Sequence, residues 1–356
     1  ESAVALGPVV QGRAVQRVLE ACYTPVGELG ALRDHLLGSL RRAVPFDAAF
    51  VATADPDTLL FTSSFAEEPL VSAAPLLLDN EFGTSPDVNR FADLARAVAP
   101  VASLDQATAG DRTSSVRSRQ IMEPLRMGDE ARLALRVDGT TWGFMCLHRS
   151  GRRGFTAQEL AVLAKVAPHV GGGVRRLVTT GCAPAASGSL EAVILAADDV
   201  VVAVGGAVDH AVWGPTVVGG PLPLPLLAVV RRLQAIERGA PDCPPATVRV
   251  RTRTGDLMGV HATRLYGEAG TASIVLTIAP VSPDELSSLL LAAYGLTPAQ
   301  RRVAGLVLQG RTTSQIVVEL RISAHTVQDH LKAVFDKTGA RSRRALVNAL
   351  MHRPVV

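Results

Sequence analysis

The sequence predicts two α+β units followed by an all-α unit of four helices with a helix-turn-helix at its centre. Three observations predict this. Residues 13–178 alternate helical stretches with paired strand-like runs, residues 190–280 repeat that alternation on a smaller scale, and residues 296–354 carry helical spacing alone. The 356 residues suffice for two or three domains with their own cores, and a hydrophobic content of 47% with 19% charged residues is globular.

Residues 13–44 read as helical, with Val15, Val18, Leu19 and Cys22 on one face and Leu29, Leu32, Leu36, Leu37 and Leu40 on a second. Thr24-Pro25 and Gly27 break the run. Phe46 to Ala54 and Leu59 to Ser63 read as strands around the turn at Asp55-Pro56-Asp57. Ala131 to Val137 and Trp142 to His148 form a second pair around Asp138-Gly139. Phe155 to Val170 is a helix with a capping box, Thr156 and Glu159. Gly171-Gly172-Gly173 reads as a frayed helix end leading to a linker, the alternatives being a hinge or a close helix contact across a dimer.

Thr179 to Ser189, rich in Ala, Gly, Pro and Ser, is the expected linker. Beyond it, strands are expected at 192–196, 200–204, 247–253, 257–265 and 272–278, with a helix at 226–238. The stretch 282–294 is a connector helix whose Leu286, Leu289, Leu290 and Ala293 suit a dimer coiled coil.

In residues 296–354, Thr297-Pro298 opens the first helix and Gly310 closes it. Thr313 is the expected N-cap of the second helix, whose inner face is Ile316, Val317 and Leu320. Arg321 and Ile322 leave a tight turn before Ser323 caps the third helix. There Val327, Leu331, Val334 and Phe335 make an apolar stripe, while His325, Gln328, Asp329, Lys332 and Asp336 lie opposite. Gln, Asp and Lys can all hydrogen-bond base edges in a major groove. Charge is uneven in the same sense: residues 296–356 carry a net +7 and the remainder −4, within a total of +3.

Leu296-Thr297-Pro298, Gly310-Arg311-Thr312-Thr313, Thr326-Val327, His330-Leu331-Lys332, Lys337-Thr338-Gly339 and Ser342-Arg343 resemble the LuxR/FixJ-type DNA-binding domain. The resemblance implies a four-helix domain that binds a double-stranded DNA operator as a dimer. It places base reading at Gln328, Asp329 and Lys332, and phosphate contact at Thr313, Thr326, Lys337, Arg341 and Arg343. The chain departs from the family at Ala299-Gln300, where Arg-Glu is usual, and at Gln315, where a charged residue, often Glu, is usual; those losses bear on stability more than on reading. Residues 13–178 resemble a GAF domain, through Val44-Pro45-Phe46-Asp47-Ala48, Glu123-Pro124-Leu125, Gly128-Asp129-Glu130 and Leu147-His148-Arg149. Residues 190–280 look PAS-like by element order. The fold class is thus α+β sensor domains, GAF-like and then PAS-like, followed by the helix-turn-helix domain.

A GAF-like cavity implies a small-molecule effector, or else a ligand-free unit for dimerisation and protein contact. Trp142, Phe144 and Cys146 alternate on one strand and are the candidate ligand-binding residues, with Met145 and Leu147 on the opposite face. The scattered Cys22, Cys146, Cys182 and Cys243 have no metal-ligand spacing, so neither a metal nor a cofactor is expected. No hydrolase or metalloprotease motif is present, and a thiol-dependent enzymatic GAF domain is the weaker alternative. Only Lys165 precedes residue 296 among lysines, which disfavours a phosphoacceptor receiver domain. With no basic-then-apolar leader and no membrane-length apolar run, a cytoplasmic homodimer that meets RNA polymerase at promoters is the expectation.

Overall fold

The computed structural model describes residues 8–23, 29–180, 183–184, 191–195, 199–205, 216–240, 243–251, 256–267 and 272–352. The first unit opens with α1 (Pro8–Tyr23) and α2 (Leu29–Ala43). It continues through β1 (Ala48–Ala54), β2 (Phe61–Ala66), α3 (Ala74–Phe82), α4 (Phe91–Arg96), β3 (Val101–Ser103) and α5 (Leu104–Ala107). It ends with β4 (Met127–Val137), β5 (Thr140–Ser150) and α6 (Ala157–Thr179). The break expected at Thr24-Pro25 and Gly27 lies outside the described residues.

The five strands form an antiparallel sheet in the order β2-β1-β5-β4-β3. One face packs on α1, α2 and α6 through Leu36, Leu40, Leu133, Met145, Leu147 and Leu163. The other is covered by Phe50, Phe61, Phe91 and Phe144, with Leu70 and Leu78 above them.

The capping box at Thr156 and Glu159 is present, and α6 then runs unbroken through all three glycines. The stretch is not a frayed end, and Gly171 and Gly173 are packing positions. A Cβ on Gly171 would lie 2.7 Å from the carbonyl oxygen of Leu135 in β4, and one on Gly173 3.2 Å from that of Cys22 in α1. The missing side chains let α6 lie against the sheet and α1 within this chain.

The second unit comprises β6 (Ala183–Pro184), β7 (Glu191–Leu195), β8 (Val201–Gly205), α7 (Leu224–Glu237), β9 (Thr247–Arg251), β10 (Asp256–Tyr266) and β11 (Ala272–Pro280). Its sheet runs β6-β10-β11-β7-β8, with β9 also on β10. Taken as β8-β7-β11-β10-β9, this winding repeats that of the first sheet: second, first, fifth, fourth, third. Most of the expected linker, and residues 196, 252 and 253 of the expected strands, lie outside the described residues.

The connector is α8 (Pro283–Ala293), capped by a Ser282–Glu285 box. Leu286, Leu289, Leu290 and Ala293 are all buried within the chain, in one core with α6 and the C-terminal helices. They are therefore not free for the coiled coil that their spacing suggests. The last unit is α9 (Pro298–Leu308), α10 (Thr313–Leu320), α11 (Ala324–Thr338) and α12 (Arg343–His352). Gly295, at φ +66°, begins it pressed against Asp138, where a Cβ would fall 2.8 Å from the Asp138 Cβ.

Candidate nucleic-acid interface

α11 is built as its spacing predicts. The Ser323 side chain accepts from the Thr326 amide, and Gly339 closes the helix in the left-handed region. Val327, Leu331 and Val334 are buried while Gln328, Asp329 and Lys332 are exposed. His325 stands 3.6 Å from Asp329 on that outer face. The preceding turn is fixed by Arg321, a left-handed residue at φ +54° whose amide bonds the Val317 carbonyl.

The N-cap of α10 is Thr312 and not Thr313; the Thr312 hydroxyl accepts from the Gln315 amide and Gln315 Oε1 accepts from the Thr312 amide. Thr313 Oγ1 instead accepts from Arg343 Nη2 at 2.7 Å, and Arg343 Nη1 bonds the Arg311 carbonyl at 2.8 Å. Lys337 Nζ donates to the Gly295 carbonyl at 2.8 Å and to Gln300 Oε1 at 3.1 Å. Three of the phosphate candidates thus also hold the domain together; Arg341, another phosphate candidate, is exposed, as is the base-reading candidate Lys332. The two family departures are both partners in capping boxes, Gln300 with Thr297 and Gln315 with Thr312.

In the first unit the three ligand candidates separate. A bulge opposite Leu135 interrupts the β4–β5 pairing between Ala134↔Phe144 and Arg136↔Thr141. It turns Trp142 into the helix-packed core with Met145 and Leu147, while Phe144 and Cys146 face the aromatic cluster. Gly143 fits the bend, because a Cβ there would lie 2.5 Å from the Ala52 carbonyl oxygen. Strict alternation across Trp142 was therefore wrong by one position.

The side with Cys146 is filled. Phe91 and Phe144 stack at 4.7 Å, Phe61 packs edge-on to both, and the void beside Cys146, His148 and Arg132 is about 30 Å³, space for one water. Beside it lies a buried charge network that the sequence reading missed. Arg117 bonds Glu130 and Asn80, and Arg132 bonds Glu81 at 2.9 Å. Burial alone would raise the Glu130 carboxyl, but Arg117 and Arg132 hold it well below the usual carboxylate range. Burial lowers His148 to about 4, so it is neutral at pH 7, with Glu130 opposing that shift.

Glu130, Cys146 and His148 stand within 4.8 Å of one another, a donor set of metal-ligand type. Two guanidiniums already neutralise that carboxylate, and the Cys146 thiol donates to it at 3.3 Å. Burial raises the Cys146 pKa further, so the trio does not suit a cation. Cys22 lies in the core on the opposite face of the sheet, its thiol pushed up to about 11 by burial. The two cysteines cannot meet as a redox pair.

A short capped helix, a tight turn, and a second helix buried on one side and polar on the other form a helix-turn-helix DNA-binding domain. Residues 295–350 match the family model described as bacterial regulatory proteins, luxR family. That match spans the C-terminal domain and none of the two units before it. No curated protein sequence matches the chain.

Among solved structures the chain is similar to Escherichia coli SdiA, at 10% identity over 96% of this chain and 99% of that one, TM-score 0.36. It is similar to the VqsR LBD domain from Pseudomonas aeruginosa, at 17% identity over 47% of this chain and 95% of that one, TM-score 0.32. The chromophore-binding domain of the bacteriophytochrome RpBphP3 from R. palustris is similar at 12% identity and TM-score 0.33, over 47% of this chain and 60% of that one. These are distant likenesses. No helix among the described residues is long and apolar enough to cross a membrane.

Proposed function

We propose that the chain is a transcription regulator that binds a double-stranded operator as a homodimer, with α11 in the major groove. Gln328, Asp329 and Lys332 read bases; Thr326 and Arg341 contact phosphates; Thr313, Lys337 and Arg343 share that contact with their structural bonds. The observation that carries the reading is the exposure of Gln328, Asp329 and Lys332 opposite the buried Val327, Leu331 and Val334. Binding-site selection from a random duplex pool tests it. An enriched inverted repeat with half-sites spaced by about one helical turn is the expected result. A pool left unenriched, while the protein stays folded, overturns the reading.

The N-terminal units are read as GAF-like and PAS-like. Their shared strand winding supports a common α+β design. The first unit's filled cavity supports a packed scaffold for dimerisation or contact with the transcription machinery, over an effector seated at Phe144 and Cys146. Native mass spectrometry of the full chain and of its Phe144→Ala variant separates the two: a small molecule that the unmodified chain releases on denaturation and the variant does not carry defeats the scaffold reading.

A further inference from the structure

Between α3 and α4 of the first unit and α7 of the second lies a cleft of about 390 Å³. That is within the range of roughly 300–1,000 Å³ typical of small-molecule sites, which favour domain boundaries. Its lining is strongly cationic. Arg90, Arg96, Arg232 and Arg238 face it, against the carboxylates of Glu81 and Asp93. Glu81 is already engaged by Arg132 and by the Phe91 amide. Arg90 spends its donors on the Glu81 and Gly83 carbonyls.

The decisive group is Arg232, only 7% exposed. Its neighbour Arg231 bonds the carboxylates of both Asp79 and Asp199. Arg232 has no carboxylate partner among the described residues. Its guanidinium makes a long 3.4 Å bond to the Thr58 carbonyl and a 3.4 Å bond to the weakly accepting Cys243 sulfur, both neutral groups, and lies 5.5 Å over the Phe82 ring. A buried, uncompensated guanidinium is costly, and an oxyanion that takes two of its N–H groups removes that cost.

We propose that this cleft binds a small molecule bearing a doubly charged oxyanion, such as a phosphate monoester, with Arg232 at its base and Arg96 and Arg238 at its rim. The occupant bridges the two N-terminal units, since Arg232 and Arg238 belong to the second and Arg96 to the first. The site is independent of DNA reading, and the two are measured separately.

The test uses the full chain in phosphate-free buffer, titrated with phenyl phosphate and with neutral benzyl alcohol, by calorimetry and thermal shift. Phenyl phosphate should bind saturably and raise Tm, while benzyl alcohol should do neither. The exposed Arg238→Gln should weaken phenyl phosphate by at least about tenfold, and Arg232→Met should abolish its binding and its thermal shift. Without any anion, Arg232→Met should be at least as stable as the unmodified chain, because it removes an unpaired buried charge. Loss of Tm in that variant without ligand would mean that the Thr58, Cys243 and Phe82 contacts already compensate the guanidinium, and overturns the proposal. So does anion binding that survives both substitutions, which would seat it elsewhere, such as the basic C-terminal domain; so does no binding by the unmodified chain.

Discussion

The Asp57 carboxylate, in the turn between β1 and β2, accepts a 2.6 Å hydrogen bond from Arg301 Nη1 in the first helix of the DNA-binding domain. It also accepts from Arg249 of β9 at 2.7 Å and from Ser288 of α8 at 2.8 Å. One side chain of the first unit thus touches the second unit, the connector and the DNA-binding domain.

That junction is expected to be sensitive to pH. Burial would raise the Asp57 carboxyl, but Arg249, Ser288 and Arg301 outweigh it and hold it below its ordinary value. A carboxylate with a depressed folded pKa contributes stability above its unfolded pKa, near 3.9, and loses it as pH falls through the folded value. Docking of the C-terminal domain should therefore loosen below about pH 4. Asp57→Asn should loosen it at neutral pH by about 1 kcal/mol, the carboxylate being partly exposed. Small-angle scattering from pH 7 to pH 3 measures this; equal acid sensitivity in the variant and the unmodified chain counts against it.

Arg249 and Asp55 form a second, deeper contact between the same units. Asp55 accepts from Arg249 Nε at 2.8 Å and Nη2 at 2.6 Å, and both side chains are buried. Arg249→Met should cost about 3–5 kcal/mol in urea unfolding, because it strands a buried carboxylate. Adding Asp55→Asn should recover part of that loss. Strictly additive losses in the double variant would show that the pair is not coupled.

The adjacent glycines of α6 should respond with opposite signs. Gly172→Ala meets only the Arg176 guanidinium, at 3.7 Å, and should stabilise by about 0.5–1 kcal/mol through helix propensity. Gly171→Ala drives a methyl into the Leu135 backbone and should lower Tm despite the same propensity gain. Two variants that shift Tm in the same direction would contradict the close approach of α6 to β4.

Gln300→Glu restores an acid where the helix N-terminus and the Lys337 ammonium, 3.1 Å away, both favour negative charge. The expected gain is about 0.5–1 kcal/mol, decreasing with added salt. A gain unaffected by salt would assign it to another cause.

Lys332→Ala should weaken specific operator binding by about 1–3 kcal/mol with Tm unchanged, because its side chain is exposed. Arg343→Ala should flatten the salt dependence by about one unit and also lower Tm, since its guanidinium ties Arg311 to Thr313. Paired mobility-shift and melting measurements check both. An Arg343 variant with unchanged Tm would leave phosphate contact as its sole role.

The helix-turn-helix was legible because its determinants are local. Caps at Thr297 and Ser323, the stop at Gly339 and the Val327–Leu331–Val334 stripe each act within a few residues. Even there, Thr312 and not Thr313 caps α10, because either hydroxyl suits the role and only helix phase selects one. Trp142 was misplaced since a one-residue bulge reverses every side chain beyond it, and no composition marks it except Gly143. The Arg117–Glu130–Arg132–Glu81 network was invisible because its members are separated by up to 51 residues.

The sequence alone determined the flanking helices and hairpins of the first unit, the order of the units and the polar face of α11, since capping, turn chemistry and apolar period depend on near neighbours; α3, α4 and the edge strand β3 carry no such local signal. Tertiary structure decided which faces remained free. It buried the connector's leucines within the chain, filled the first unit's cavity with phenylalanines, left Arg232 in a cleft between units, and gathered three units onto Asp57. Those outcomes depend on distant segments competing for the same surface.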